Sequence, residues 1–173
     1  MSVLEKFKSI RTFVFDVDGV MTDGSVQVTE GGEQWRTMNT KDGYSLQLAI
    51  KKGYKVLVIS GGQSEGVRLR LQGLGVEDVF LRVKDKQEKL RTYMQEHGLR
   101  MDDMLYMGDD IPDYGVMKQV GLACAPADAA PEIRHIAAYI SSFNGGHGCV
   151  RDVIEKVLKL NGHWELDTSI ASK

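Results

Sequence analysis

The chain has 173 residues, of which 22 are basic and 24 acidic, giving a formal net charge of −2, and it contains two cysteines. That length suits one compact domain with a single core, and the dispersed charge excludes the broad cationic field that nucleic acid or an anionic membrane requires. Cys124 and Cys149 lack CxxC or metal-finger spacing, and no stretch approaches the ~20 apolar residues of a membrane span or the apolar core of a signal peptide. The expectation is therefore a cytoplasmic protein with buried cysteines, binding neither nucleic acid nor membrane, in which any small anionic ligand is met by local groups.

In chain order, the first predicted strand is Phe13 to Val17, a short apolar run that ends among two carboxylates, Asp16 and Asp18. Next, Ser25 to Met38 holds two short alternating segments around Glu30-Gly31-Gly32-Glu33, which predicts a projecting β-hairpin. From there strands and helices alternate. Helices are expected at Tyr44 to Lys52, Ser64 to Leu74, Lys86 to His97 and Pro112 to Val120, each with a glycine close to its end. Strands are expected at Val56 to Ser60, Val79 to Leu81, Met104 to Met107 and, more weakly, Leu122 to Ala125. Periodicity is lost after Leu160, so the tail from Asn161 to Lys173 is expected to fray. The fold class is thus α/β: a doubly wound, mainly parallel sheet with helices on both faces, in one domain over residues 1–173. Ligands in such sheets bind beyond the carboxyl ends of the strands.

Four strand ends carry chemistry. Two acids separated by a single residue, as Asp16 and Asp18 are, repel each other and call for a cation, which a hard divalent metal supplies. Asp16 is a candidate nucleophile and metal ligand, and Asp18 a candidate acid/base, with Gly19 allowing the sharp turn. A bare Asp-x-Asp-Gly more often simply ends a strand in a polar turn. Ser60, followed by Gly61 and Gly62 at a helix start, offers a hydroxyl and backbone N–H groups to a phosphate, although a glycine pair can also be no more than a tight connection. Lys86, Lys84 and Lys89 all lie near the next strand end, and Lys86 opens the helix and can reach the same region. Finally, Gly108-Asp109-Asp110-Ile111-Pro112-Asp113 is a second acidic turn. Asp109 is its ligand candidate, whereas Asp113 either orients a metal-bound water or a neighbouring side chain or is an ordinary acid of the first helical turn. His97, His135 and His163 lack partners at metal-ligand spacing and are expected at the surface; His147 sits in a glycine-rich loop.

Taken together, Asp16-Val17-Asp18-Gly19-Val20, Ser60, Lys86 and Gly108 through Asp113 resemble, in that order, the four motifs of the haloacid dehalogenase superfamily of phosphatases. The resemblance implies phosphoryl transfer to Asp16, protonation of the leaving group by Asp18, and Mg²⁺ held by Asp16, Asp109 and the backbone carbonyl of Asp18. The gaps between motifs leave no room for a cap domain, so the chain resembles the capless subclass. Nearly its whole length is similar to the family acting on 3-deoxy-D-manno-octulosonate 8-phosphate (KDO 8-phosphate), through Asp16 to Gly24, Asn39 to Tyr44, Ser64 to Arg70 and Gly145 to Asp152. That implies a sugar phosphate substrate, a role in lipopolysaccharide biosynthesis and a homotetramer built around the hairpins. Gly61, Gly62, Asp42, Arg70 and Arg151 are the substrate-binding candidates; either arginine could pair with the sugar carboxylate or be a solvated helix residue. Asp110 is placed with Asp113 beside the metal ligands. Gly62 stands where relatives acting on nine-carbon keto-deoxy sugar phosphates are expected to carry glutamate, which favours the eight-carbon substrate. The alternatives are a nine-carbon sugar phosphate phosphatase and a non-catalytic oligomerisation domain. A phospho-acceptor signalling domain fits less well, because its aspartate ends a middle strand where this chain has Ile59-Ser60.

Overall fold

In the computed structural model residues 2–171 are described; Met1, Ser172 and Lys173, and with them the last two positions of the expected tail, lie outside the described residues. Six strands form one parallel sheet: β1 (Thr12–Phe15), β4 (Lys55–Ile59), β5 (Asp78–Phe80), β6 (Met104–Met107), β7 (Leu122–Ala125) and β8 (Tyr139–Ile140), in the order β5-β4-β1-β6-β7-β8. The remaining two strands, β2 (Gln27–Val28) and β3 (Gln34–Trp35), pair antiparallel as the hairpin, so its ladder is shorter than the segments expected from sequence.

Every residue of β1, β6 and β7 is buried, as a sheet covered on both faces requires. Successive side chains sort into two cores. Phe13, Phe15, Val56, Val58, Leu105 and Met107 face the helices α1 (Val3–Ser9), α2 (Thr40–Lys51), α3 (Glu65–Gly73) and α7 (Cys149–Leu160). On the other face Val14, Leu57, Ile59 and Tyr106 meet α4 (Lys86–His97), α5 (Tyr114–Met117) and α6 (Pro131–Ile136). Register then fixes the site. Phe15 is level with Val58 on one side and Met107 on the other, so Asp16, Ser60 and Asp109 emerge together at one edge.

Two further departures concern the segment after β6 and the tail. Instead of one helix over Pro112 to Val120, a 3-10 turn at Ile111–Asp113 leads into the four residues of α5. Gly115 weakens a continuous helix, and the Asp110/Asp113 capping box holds the turn instead. The tail does not fray within the described residues but folds back on α2. His163 Nδ1 lies 2.9 Å from the Tyr54 hydroxyl, and the Asp167 N–H donates to Tyr44 Oη at 3.1 Å. Lys51 pairs with Asp167, and Trp164 packs edge-on against Tyr44. Hydrophobic periodicity cannot report a segment anchored by aromatic edges and ion pairs. Among the described residues, no helix is long and apolar enough to cross a membrane.

Candidate active site

Asp16 continues the line of β1, its N–H donating to the Met107 carbonyl at 3.1 Å. The chain then closes a tight loop in which the N–H groups of Val20, Met21 and Thr22 converge on the Val17 carbonyl. Gly19 in this loop has φ +86°, and a Cβ there would stand 1.9 Å from Asp109 Oδ2, so glycine is needed both for the turn and for the approach of the second acidic loop.

Lys86 is the first residue of α4, whose N-terminus is capped by Asp85. Its ammonium lies 2.9 Å from Asp16 Oδ2 and 2.7 Å from Asp113 Oδ1. Asp113 is fully buried and completely engaged. Its Oδ1 also accepts from the Tyr106 hydroxyl at 2.6 Å, while Oδ2 accepts from the N–H groups of Asp109 at 3.1 Å and Asp110 at 3.5 Å. Asp113 thus holds Lys86 and the N–H groups of the Asp109 loop. The Asp110 side chain is exposed and accepts from the Ile111 N–H as a cap. On the other side of β1, Ser60 is buried, and its Oγ accepts from the Gly62 N–H at 3.1 Å. The loop is pinned by Val83 N–H to the Ser60 carbonyl and Arg82 N–H to the Gly62 carbonyl, each at 3.0 Å.

These groups line a cavity of about 290 Å³ that includes Asp16, Asp18, Ser60, Gly62, Lys86 and Asp109. A larger groove of about 960 Å³ runs between the hairpin and α3, with Trp35, Arg36, Gln63 and Arg70 in its walls. Burial first, then the neighbouring Asp113 carboxylate, push Asp16 up to about 7 against the pull of Lys86. Burial and then the charges of Asp16 and Asp113 push Asp109 up to about 7 as well. For Lys86, burial acts to lower the ammonium, but Asp16 and Asp113 outweigh it and hold it above its usual value. A single ammonium shared by two carboxylates leaves the Asp109 side uncompensated.

Carboxylate oxygens of Asp16, Asp109 and Asp113 lie within 4.8 Å of one another. Since both Asp113 oxygens are already engaged, Asp16 and Asp109 are the pair disposed to share a cation. Two hard carboxylate donors whose repulsion one ammonium does not balance fit a divalent ion such as Mg²⁺.

The structure does not bring every candidate into the cavity. Asp42 is buried between α2 and α7, where Oδ1 accepts the Arg151 N–H at 2.8 Å and caps α7, while its buried Oδ2 has no hydrogen-bond partner among the described residues. Burial pushes it up to about 6, opposed by backbone N–H groups of Arg151 and Gly148. The Arg151 side chain pairs with Glu155 at 3.2 Å and lies over the Trp164 ring. Neither Asp42 nor Arg151 lines the cavity at the strand ends; their side chains join α2, α7 and the tail. His147 lines a separate groove with Arg151 and bonds the Gly145 carbonyl through Nδ1.

Two site residues were not read from the sequence. Tyr106 carried a usable signal, since a hydroxyl in an otherwise apolar buried strand needs a partner. Arg36 carried none: a charged residue at a hairpin end is ordinarily solvated, yet its guanidinium forks onto Asp18, Nε to Oδ1 at 2.6 Å and Nη2 to Oδ2 at 3.2 Å.

Residues 77–154 match the family of haloacid dehalogenase-like hydrolases. The chain is 32% identical over 160 residues to the 3-deoxy-D-manno-octulosonate 8-phosphate phosphatase of Escherichia coli strain K12, covering 92% of this chain and 85% of the relative. It is 33% identical over 169 residues to the phosphatase of the same name from Yersinia pestis, covering 98% and 90%. The crystal structure of the Moraxella catarrhalis phosphatase of that name, in complex with magnesium ion, phosphate ion and a KDO molecule, matches with a TM-score of 0.88 at 29% identity, over 91% of each chain.

Proposed function

The chain belongs to the haloacid dehalogenase-like hydrolases and, within them, to the KDO 8-phosphate phosphatases, and on that premise we propose that it hydrolyses KDO 8-phosphate to KDO and inorganic phosphate. The observation that carries this reading is the convergence of Asp16, Lys86 and Asp109 at one sheet edge, with Asp18 two residues beyond the nucleophile. An Asp16 oxygen attacks phosphorus in line, forming an aspartyl phosphate as the bond to the sugar oxygen breaks, and Asp18 protonates that oxygen. Asp18 then takes a proton from the water that hydrolyses the intermediate. Ser60 donates to a phosphoryl oxygen, and Lys86 balances the charge gathered around Asp16. Asp16, Asp109 and the Asp18 carbonyl would hold Mg²⁺, which supplies positive charge to the transferring phosphoryl group.

The open groove, with Arg70 in its wall, accommodates the sugar, and Arg70 is the remaining candidate partner for its carboxylate. The reaction belongs to a cytoplasmic step of lipopolysaccharide biosynthesis. Exposed Val28 and Trp35 on the hairpin, 67% and 58% accessible, support assembly through the hairpins into a homotetramer. The decisive experiment is substrate profiling with Mg²⁺. KDO 8-phosphate should exceed nine-carbon keto-deoxy sugar 9-phosphates in kcat/KM, and a reversed ratio rejects the substrate while leaving the phosphatase chemistry in place.

A further inference from the structure

The Asp18 carboxylate has an unusual neighbour for an acid that must face a leaving group. Both of its oxygens are held by Arg36, a residue 18 positions away, directly after the second strand of the hairpin. The cation is the better buried of the two, with 5% of its side chain exposed against 32% for Asp18. Its remaining edge is fixed from behind: Nη1 donates to the Gln34 carbonyl at 3.2 Å and Nη2 reaches Gln34 Oε1 at 3.5 Å. The opposite wall is Gly62, where a Cβ would stand 3.0 Å from Asp18 Oδ2 and 3.4 Å from Arg36 Nη2. Glycine there leaves the room that the pair occupies.

We propose that Arg36 is a positioning residue for Asp18: the hairpin fixes the guanidinium, and the planar fork fixes the direction of the carboxylate toward the leaving group. The inference rests on the phosphatase reading above. A carboxylate on a turn beyond a strand end rotates freely unless something holds it, and a bidentate guanidinium fixes orientation as well as distance. Most of the donors on Arg36 are already engaged within the protein, which distinguishes it from an arginine kept free for substrate.

The test uses the dependence of rate on the leaving group. As the Asp16 oxygen bonds to phosphorus, the P–O bond to the leaving group breaks, its electron pair stays on the departing oxygen, and Asp18 gives that oxygen its proton. An alkoxide needs the proton and p-nitrophenolate does not. Across plain aryl and alkyl phosphates carrying no carboxylate, Arg36→Met should steepen the fall of log kcat/KM with leaving-group pKa. Alkyl phosphates should lose roughly 10- to 100-fold while p-nitrophenyl phosphate stays within about threefold. Arg36→Lys, which keeps the charge and loses the fork, should fall between, and Gly62→Ala should steepen the slope from the opposite side. Circular dichroism checks folding; should Arg36→Met not fold, the other two variants carry the slope test. An unchanged slope, or an equal loss across the series, overturns the inference, as does a KM increase confined to the sugar phosphate. Wild-type protein inactive on every phosphate would instead reject the phosphatase reading itself.

Discussion

Replacing Lys86 by methionine keeps most of the side-chain volume and removes a positive charge that faces two buried carboxylates. Asp16 is 7% exposed and Asp113 fully buried, and the ammonium lies 2.9 Å and 2.7 Å from them. Removing one partner of a buried ion pair costs about 3–5 kcal/mol, because the other charge stays buried. In a chain of this size 1 kcal/mol moves Tm by roughly 2–4 °C, so Lys86→Met should melt roughly 6–20 °C lower. The measurement is thermal unfolding by circular dichroism at pH 8 in chelator, with Asp113→Asn and the double variant completing a cycle. In the Asp113→Asn background there is one fewer carboxylate to leave stranded, so the loss caused by Lys86→Met should shrink by about 1–3 kcal/mol. A Tm change under about 3 °C, or an equal loss in both backgrounds, would show that the ammonium is not the counter-charge of this cluster.

Asp16→Asn should abolish phosphate release, since an amide is a poor nucleophile and a weaker metal ligand, and near-normal steady-state turnover would refute the covalent step. The acids raised to about 7, Asp16 and Asp109, stay protonated in the fold at pH values where the unfolded chain, near 3.8, has ionised. Their contribution to stability is therefore greatest below about pH 4, declines as pH rises toward 7 and then levels. Metal-free protein should show that decline in Tm, and added Mg²⁺ should raise Tm more at pH 8 than at pH 5; an equal shift at both would count against coordination by these carboxylates. Asp42→Asn keeps the acceptor for the Arg151 N–H and removes a buried charge whose titration lies near 6, so it should flatten part of the same decline and leave kcat/KM unaltered. A tenfold loss of kcat/KM would return Asp42 to the substrate site.

The sequence by itself determined the parallel sheet and the order of its chemical parts. Strands buried on both faces must be apolar throughout, so Phe13 to Phe15, Val56 to Ile59 and Met104 to Met107 stand out, and the polar residue that ends each run lies at the sheet's carboxyl edge. Asp16, Ser60 and, after Gly108, Asp109 were legible for that reason, and Lys86 because it opens the helix after the next strand. What only the tertiary structure decided are the pairings between elements remote in sequence. Asp113 orients Lys86 because α4 and the turn after β6 pack on the same face; Asp42, placed with the substrate by motif, turns instead to cap α7; and the tail is held by Tyr44, Lys51 and Tyr54. Arg36 is the clearest case. Neither composition nor period marks it, since its role comes from a short hairpin bending over Gly62 to Asp18, and an ion pair formed across such a bend leaves no pattern along the chain.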